Sequence, residues 1–200
     1  ATSGTGILFS GVISEVDPSA GTGDVLAVTK VGTGVATLSG ASTYTGITSV
    51  TAGTLLVNNS TGSATGAGSV IVSAAGTLGG NGTIAPATSN GILLNGTFAP
   101  GSLGAGSGED IALTVSGTGN ITFNGSSSFE IFSRAAGVNP ASANDLALIS
   151  AADWANIIFG GSSVLNVTDL TGTSATTWAD GDQWKLFDWT GIAAGAPPVN

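Results

Sequence analysis

Two hundred residues with 42% apolar content and positive mean hydropathy are enough to bury a core in one domain or one elongated array. The net charge of -9 comes from 12 acids against Lys30, Arg134 and Lys185, so the clustered cations that nucleic acid or an anionic membrane surface demands are absent. With no Cys and no His the chain lacks a disulfide framework and the usual base of acyl transfer, and no apolar run approaches the roughly 18 residues of a membrane span.

Gly supplies 33 residues, while charged residues make up 8% against about 25% in ordinary domains. Ser and Thr add 50 more, so the polar surface is built from hydroxyls and amides and is suited to lying against something. Without an initiating Met or a basic-then-apolar opening, the chain reads as a mature form or a fragment whose export signal has gone.

Gly6-Ile7-Leu8-Phe9-Ser10-Gly11-Val12-Ile13 and Val25-Leu26-Ala27-Val28-Thr29 read as strands on either side of a turn-rich segment containing Pro18. A regular part follows. Ala52-Gly53-Thr54-Leu55 recurs as Ala75-Gly76-Thr77-Leu78, a shift of 23, and Gly76-Thr77-Leu78 returns 20 residues later as Gly96-Thr97-Phe98. Each copy follows an apolar strand: Ser49-Val50, Val70-Ile71-Val72 and Ile92-Leu93-Leu94. A longer echo links Gly32–Gly40 to Gly117–Gly125, 85 residues on, or four rungs of about 21. Periods of about 20 to 50 residues mark solenoids.

Such rungs predict strands coiled one above the next at about 4.8 Å, with some eight rungs making a rod on the order of 40 Å. Gly and Asn suit corners that need left-handed backbone. The dipeptides Asn81-Gly82, Asn95-Gly96 and Asn124-Gly125 keep a hairpin-built sandwich open as the alternative. From about Asn139 all four Trp residues gather (Trp154, Trp178, Trp184, Trp189), predicting a distinct aromatic part that plugs or docks the rod's end. The expected division is a β-helix over 1–138, a C-terminal β cap or docking part over 139–190, and an extended tail over 191–200 containing Pro197-Pro198.

The run from Gly32 to Gly101, with Thr37-Leu38-Ser39-Gly40, Thr43-Tyr44-Thr45-Gly46, Ala52-Gly53-Thr54-Leu55-Leu56-Val57, Gly76-Thr77-Leu78-Gly79-Gly80-Asn81-Gly82-Thr83-Ile84 and Phe98-Ala99-Pro100-Gly101, resembles the autotransporter-associated β-strand repeat, also called the passenger-associated transport repeat. The resemblance implies an all-β, right-handed parallel β-helix, secreted or on a bacterial surface, with no catalytic residues and no cofactor. No membrane barrel follows before Asn200, which leaves the export route open and is compatible with a free-standing secreted subunit.

Two carboxylate pairs are weighed as chemistry. Glu109-Asp110 would point to opposite faces of a strand, and Asp180-Gly181-Asp182 reads first as a turn, with a hard cation and catalysis as alternatives. Asn-x-Ser/Thr sequences follow from the Asn-Gly-Thr corners, and Thr43, Thr45, Thr48 and Thr51 form no strict ice-binding ladder. The leading expectation is a structural protein that polymerises head to tail with copies of itself, because an open β-helix end displays unpaired backbone groups. Its candidate contacts are Ile7, Leu8 and Phe9 at one end and Trp184, Phe187 and Trp189 at the other. The alternative is a surface adhesin that holds an extracellular glycan.

Overall fold

The structure, a computed structural model, describes residues 6–15, 25–87, 90–101, 111–116, 119–131, 145–149, 156–169 and 187–188. Coil 1 contributes β1 (Ile7–Phe9) and β2 (Val28–Lys30), coil 2 β3 (Val35–Leu38) and β4 (Thr48–Val50), and coil 3 β5 (Gly53–Val57) and β6 (Val70–Val72). Coil 4 gains a third strand: β7 (Gly76–Gly80), β8 (Thr83–Ile84) and β9 (Ile92–Leu94). Coils 5 and 6 keep three, β10 (Thr97–Pro100), β11 (Ile111–Val115), β12 (Asn120–Phe123), then β13 (Ser126–Ile131), β14 (Asp145–Ile149) and β15 (Asn156–Phe159). Two further strands follow, β16 (Val164–Asp169) and β17 (Phe187–Asp188).

Stacking sorts these strands into three sheets. Sheet A runs β1-β3-β5-β7-β10-β13-β16, sheet B β2-β4-β6-β9-β12-β15, and sheet C β8-β11-β14-β17. Every ladder between named strands is parallel, the only antiparallel bridge among the described residues being Gly80 with Gly101. The described chain is therefore all-β, and its architecture is a parallel β-helix.

The short-period echoes are true stacking partners. Gly53 pairs with Gly76, Thr54 with Thr77 and Leu55 with Leu78, and Thr77 and Leu78 then pair with Thr97 and Phe98. The 85-residue echo is not: Val35–Leu38 lies in sheet A and Asn120–Phe123 in sheet B. A multiplied period fails because coil length drifts. Along sheet A the registered steps from Ala36 to Leu55, Leu78 and Phe98 are 19, 23 and 20 residues, but the next two, to Ser127 and Leu165, are 29 and 38. Among the described residues the longest sheet has seven strands.

The growth falls on one side of each coil. Corners from sheet B into sheet A are short: residues 51–52, 73–75, 95–96 and 124–125. The A-to-B connections are the long ones, running over 39–47 in coil 2 and 58–69 in coil 3 before sheet C fills them. Asn95-Gly96 and Asn124-Gly125 thus join parallel sheets and form no hairpin; the Asn124 amide donates to Asn95 Oδ1 at 2.9 Å, a rung-to-rung ladder. At Gly53 the corner does require left-handed backbone (φ +69°), and a Cβ there would fall 2.3 Å from Gly32 O. At Gly125 the constraint is close approach instead, with Gly96 O 2.0 Å from where a Cβ would sit.

Alternation fills the interior. Val50, Val72, Leu94 and Phe123 form one buried column in sheet B, and Ala36, Leu55, Leu78 and Phe98 another in sheet A. Coils 2 to 4 are lined mainly by Ala, Val, Leu and Ile, with Tyr44, Thr48 and Thr65 also buried. Where sheet C widens the cross-section, aromatic rings take over: Phe98 and Phe123 meet edge to face at 5.6 Å, and Phe123 stacks on its registered partner Phe159 at 5.0 Å. A residual void of about 10 Å³ among Leu78, Ile84, Phe98 and Phe123 marks this change of section. Strands β14 to β17 continue the same sheets past residue 139, while the four Trp residues and the 191–200 tail lie outside the described residues.

Candidate assembly faces at the two ends of the coil

Strand β1 is the first member of sheet A and β2 the terminal member of sheet B, so among the described residues each carries one unpaired edge. Register explains what that end presents. Ile7 stands over Ala36 and Phe9 over Leu38, the positions that are buried in the coils above. No described coil lies on their other side, and Ile7 is 61% exposed, Leu8 63% and Phe9 46%. Val12, Val25 and Val31 add exposed apolar surface that sequence reasoning missed, since nothing local distinguishes an end coil from an interior one.

Lys30 continues the core column of Val50, Val72 and Leu94. A charge at the mouth of a core would repel an apolar neighbour, yet its ammonium is turned into the β2–β3 corner. It donates to Val31 O at 2.9 Å, Gly32 O at 2.7 Å and Ala52 O at 3.0 Å, the last on coil 2. The cation thus ties coil 1 to coil 2.

Glu15 does the same on the opposite side. Its Oε1 accepts from Leu26 N (3.0 Å), Thr45 N (2.9 Å) and Thr45 Oγ1 (2.7 Å). The Thr45 hydroxyl, then the Thr45 and Leu26 amides, hold this exposed carboxyl below the usual carboxylate range.

At the other end, β16 and β15 are the last strands of sheets A and B. Leu165 lies over Ser127 and Val167 over Phe129, again in core-facing columns, and they are 54% and 44% exposed. Phe159 is more than a third exposed beyond the ring stack. Of the residues expected at this end, Phe187 lies in β17, the terminal strand of sheet C, while Trp184 and Trp189 lie outside the described residues, as do Glu109, Asp110, Asp180 and Asp182. Among the described residues no group of three or more His, Cys, Asp or Glu is arranged to hold a metal ion, and no helix is long and apolar enough to cross a membrane.

On the A-to-B side of coils 2 to 5, around the start of sheet C, lies an open trough of about 640 Å³ lined by Ser42, Thr43, Ser60, Thr61, Ser63 and Thr83. Its wall is ordered by Asn59, a buried amide that accepts from Thr83 N at 2.8 Å and donates to the carbonyls of Thr61 and Gly62 at 2.9 and 3.0 Å. Beneath it, Thr48 Oγ1 gives its one proton to Thr65 O at 3.1 Å, so the Tyr44 phenol is the donor in their 2.6 Å bond. Burial pushes that phenol up, partly offset by the bond to Thr48.

The stacked parallel sheets define the class: a β-solenoid. Residues 28–57 match the model of the passenger-associated-transport-repeat family, so the chain carries that repeat. The match begins at β2 and ends with β5, narrower than the 32–101 span of the resemblance; beyond it the coils are joined by register alone. No curated protein and no solved structure matches the chain.

Proposed function

We propose that the chain is a non-enzymatic structural subunit of the secreted or surface-exposed passenger kind, which stacks head to tail with copies of itself into a filament or surface layer. The observation that carries this reading is that the same two core columns end exposed on both faces, Ile7 and Phe9 on one and Leu165 and Val167 on the other. A second copy continuing the register lays its Leu165 on Ile7 and its Val167 on Phe9, with β16 and β1 in the parallel pairing used throughout the coil. That contact is heterologous and leaves a free face on each partner, so it propagates. Retained polarity follows, because joining like ends would require antiparallel pairing.

Electron microscopy and sedimentation of the purified protein over a range of concentration test it. Rods longer than one subunit, lost on Phe9→Lys, are expected; monomers at all concentrations and salt levels would count against assembly.

The trough favours a second reading, a surface module that holds a neutral extracellular glycan. Uncharged Ser and Thr hydroxyls suit sugar hydroxyls, although no aromatic platform lines it. A glycan array compared with Thr61→Val and Thr83→Val variants separates this reading from assembly: selective retention lost in both supports it, and no retention removes it.

A further inference from the structure

The first coil is held differently from the others. Its side chains contribute little to the core: β1 is exposed along its whole length and β2 is at best half-buried. What docks it on coil 2 is backbone pairing, with Ser39 N donating to Phe9 O, Thr43 N to Ile13 O and Gly46 N to Leu26 O, each at 3.0 Å. Two charged side chains pin its flanks, Lys30 at the β2–β3 corner and Glu15 across the long A-to-B connection. One Glu15 oxygen gathers donors from two connections, Leu26 on that of coil 1, 11 residues away, and Thr45 on that of coil 2, 30 residues away.

We propose that Glu15 is an acid-sensitive latch: as a carboxylate it holds coil 1 on coil 2, and on protonation it releases coil 1 and with it the apolar end face. The clause about the face rests on the stacking reading above; the latch itself does not. Bonds to an ionised acceptor are roughly twice as strong as neutral ones; three converge on one oxygen, the two from Thr45 crossing to coil 2 and the one from Leu26 closing coil 1 on itself. The site is open to water, which replaces them on release, so opening is local and reversible.

The sign follows from the direction of the shift. A carboxyl held below its ordinary range stabilises the latched state above the unlatched pKa, and that contribution disappears as pH falls through the latched one. Glu15 is the titrating group on its own limb. The 39–47 connection packed against it carries no charged side chain, and its Tyr44 phenol is engaged with Thr48 inside. Lys30 is committed to three carbonyls at the other corner, and Asp17 and Asp24, the nearest acids in sequence, lie outside the described residues.

The test is amide hydrogen exchange at a concentration where sedimentation gives monomer, with rates corrected for intrinsic pH dependence. The reporters are the N–H groups of Thr43 and Gly46, which donate to coil 1; the controls are Ser73 and Asn95, which donate to Val50 O and Val72 O within coils 2 to 4. Between about pH 6 and about pH 3.5, a range spanning the carboxylate region, reporter protection should fall at least about fivefold relative to the controls. Glu15→Gln, which keeps an acceptor but no charge, should show the reduced protection at both pH values. An unchanged ratio in the parent protein, or a pH dependence that survives in Glu15→Gln, overturns the latch. Should Glu15→Gln lose control protection as well, Thr45→Val decides: a smaller loss confined to the reporters supports the latch, and no change at the reporters overturns it. Reporter release combined with pH-independent assembly would contradict the stacking reading and leave the latch standing.

Discussion

Coils 2 to 4 and the stack from coil 5 to β16 are built on the same sheets by different means. In the first group coil length stays within 19 to 23 residues and the core is aliphatic apart from the buried Tyr44 and Thr48; in the second the steps reach 29 and 38, a third sheet runs alongside, and Phe98, Phe123 and Phe159 fill the wider section. What stays short throughout is the corner from sheet B into sheet A, two to four residues between the flanking strands. A β-helix therefore holds its register at one tight edge, and the opposite edge is free to grow, since added residues there leave both stacked sheets in place.

Substitutions can break that comparison, and the largest effect is expected in the narrow coils. Leu55→Ala removes a fully buried side chain where rungs above and below prevent collapse, and should cost about 2–5 kcal/mol of unfolding free energy in denaturant titration. Ile7→Ala in the matching column of coil 1 should cost less than about 0.5 kcal/mol in the monomer. Equal costs would mean that coil 1 is packed like an interior coil.

The short corner comes next. Gly53→Ala meets both a left-handed backbone and Gly32 O, so a loss of about 1–3 kcal/mol is expected, whereas Gly34→Ala, with open space around its Cβ position, should be near neutral. Comparable melting shifts for the pair would refute the view that the short corner fixes the register. On the variable side, Asn59→Ala strips a buried amide from three backbone groups and should cost about 1–3 kcal/mol.

The smallest effect is alkaline. The Tyr44 phenol is held protonated, so its contribution is complete below the unfolded phenol's pKa, about 10, and is lost as pH rises through the higher folded value. Tyr44→Phe should lower stability by about 1 kcal/mol at neutral pH and flatten the decline above about pH 10; an unaltered decline would assign it elsewhere.

The same contrast explains what the sequence disclosed. Ala-Gly-Thr-Leu was readable as a rung because Gly53, Gly76 and Gly96 sit at the short corner, where spacing and residue type are constrained together. Beyond Gly101 the period drifts, so multiplying 21 by four paired a sheet A strand with a sheet B strand that has the same alternation. Sheet C was invisible at its start because β8 is only the two residues Thr83 and Ile84. At the candidate site, Ile7, Leu8 and Phe9 were legible as an apolar strand. Leu165 and Val167 were not legible as an end, because their pattern is that of any strand in the stack. Glu15 gave no signal at all, its Thr45 partner being 30 residues away on another coil.

Complementation between the two faces tests the central claim most directly. Ile7→Asp disables one end face and Leu165→Asp the other, so in a head-to-tail stack each variant alone should sediment as monomer. Mixed in equal amounts, the two should form a one-to-one dimer that grows no further, through the intact face left on each. A mixture that stays monomeric, or filaments formed by either variant alone, would contradict head-to-tail stacking through these columns.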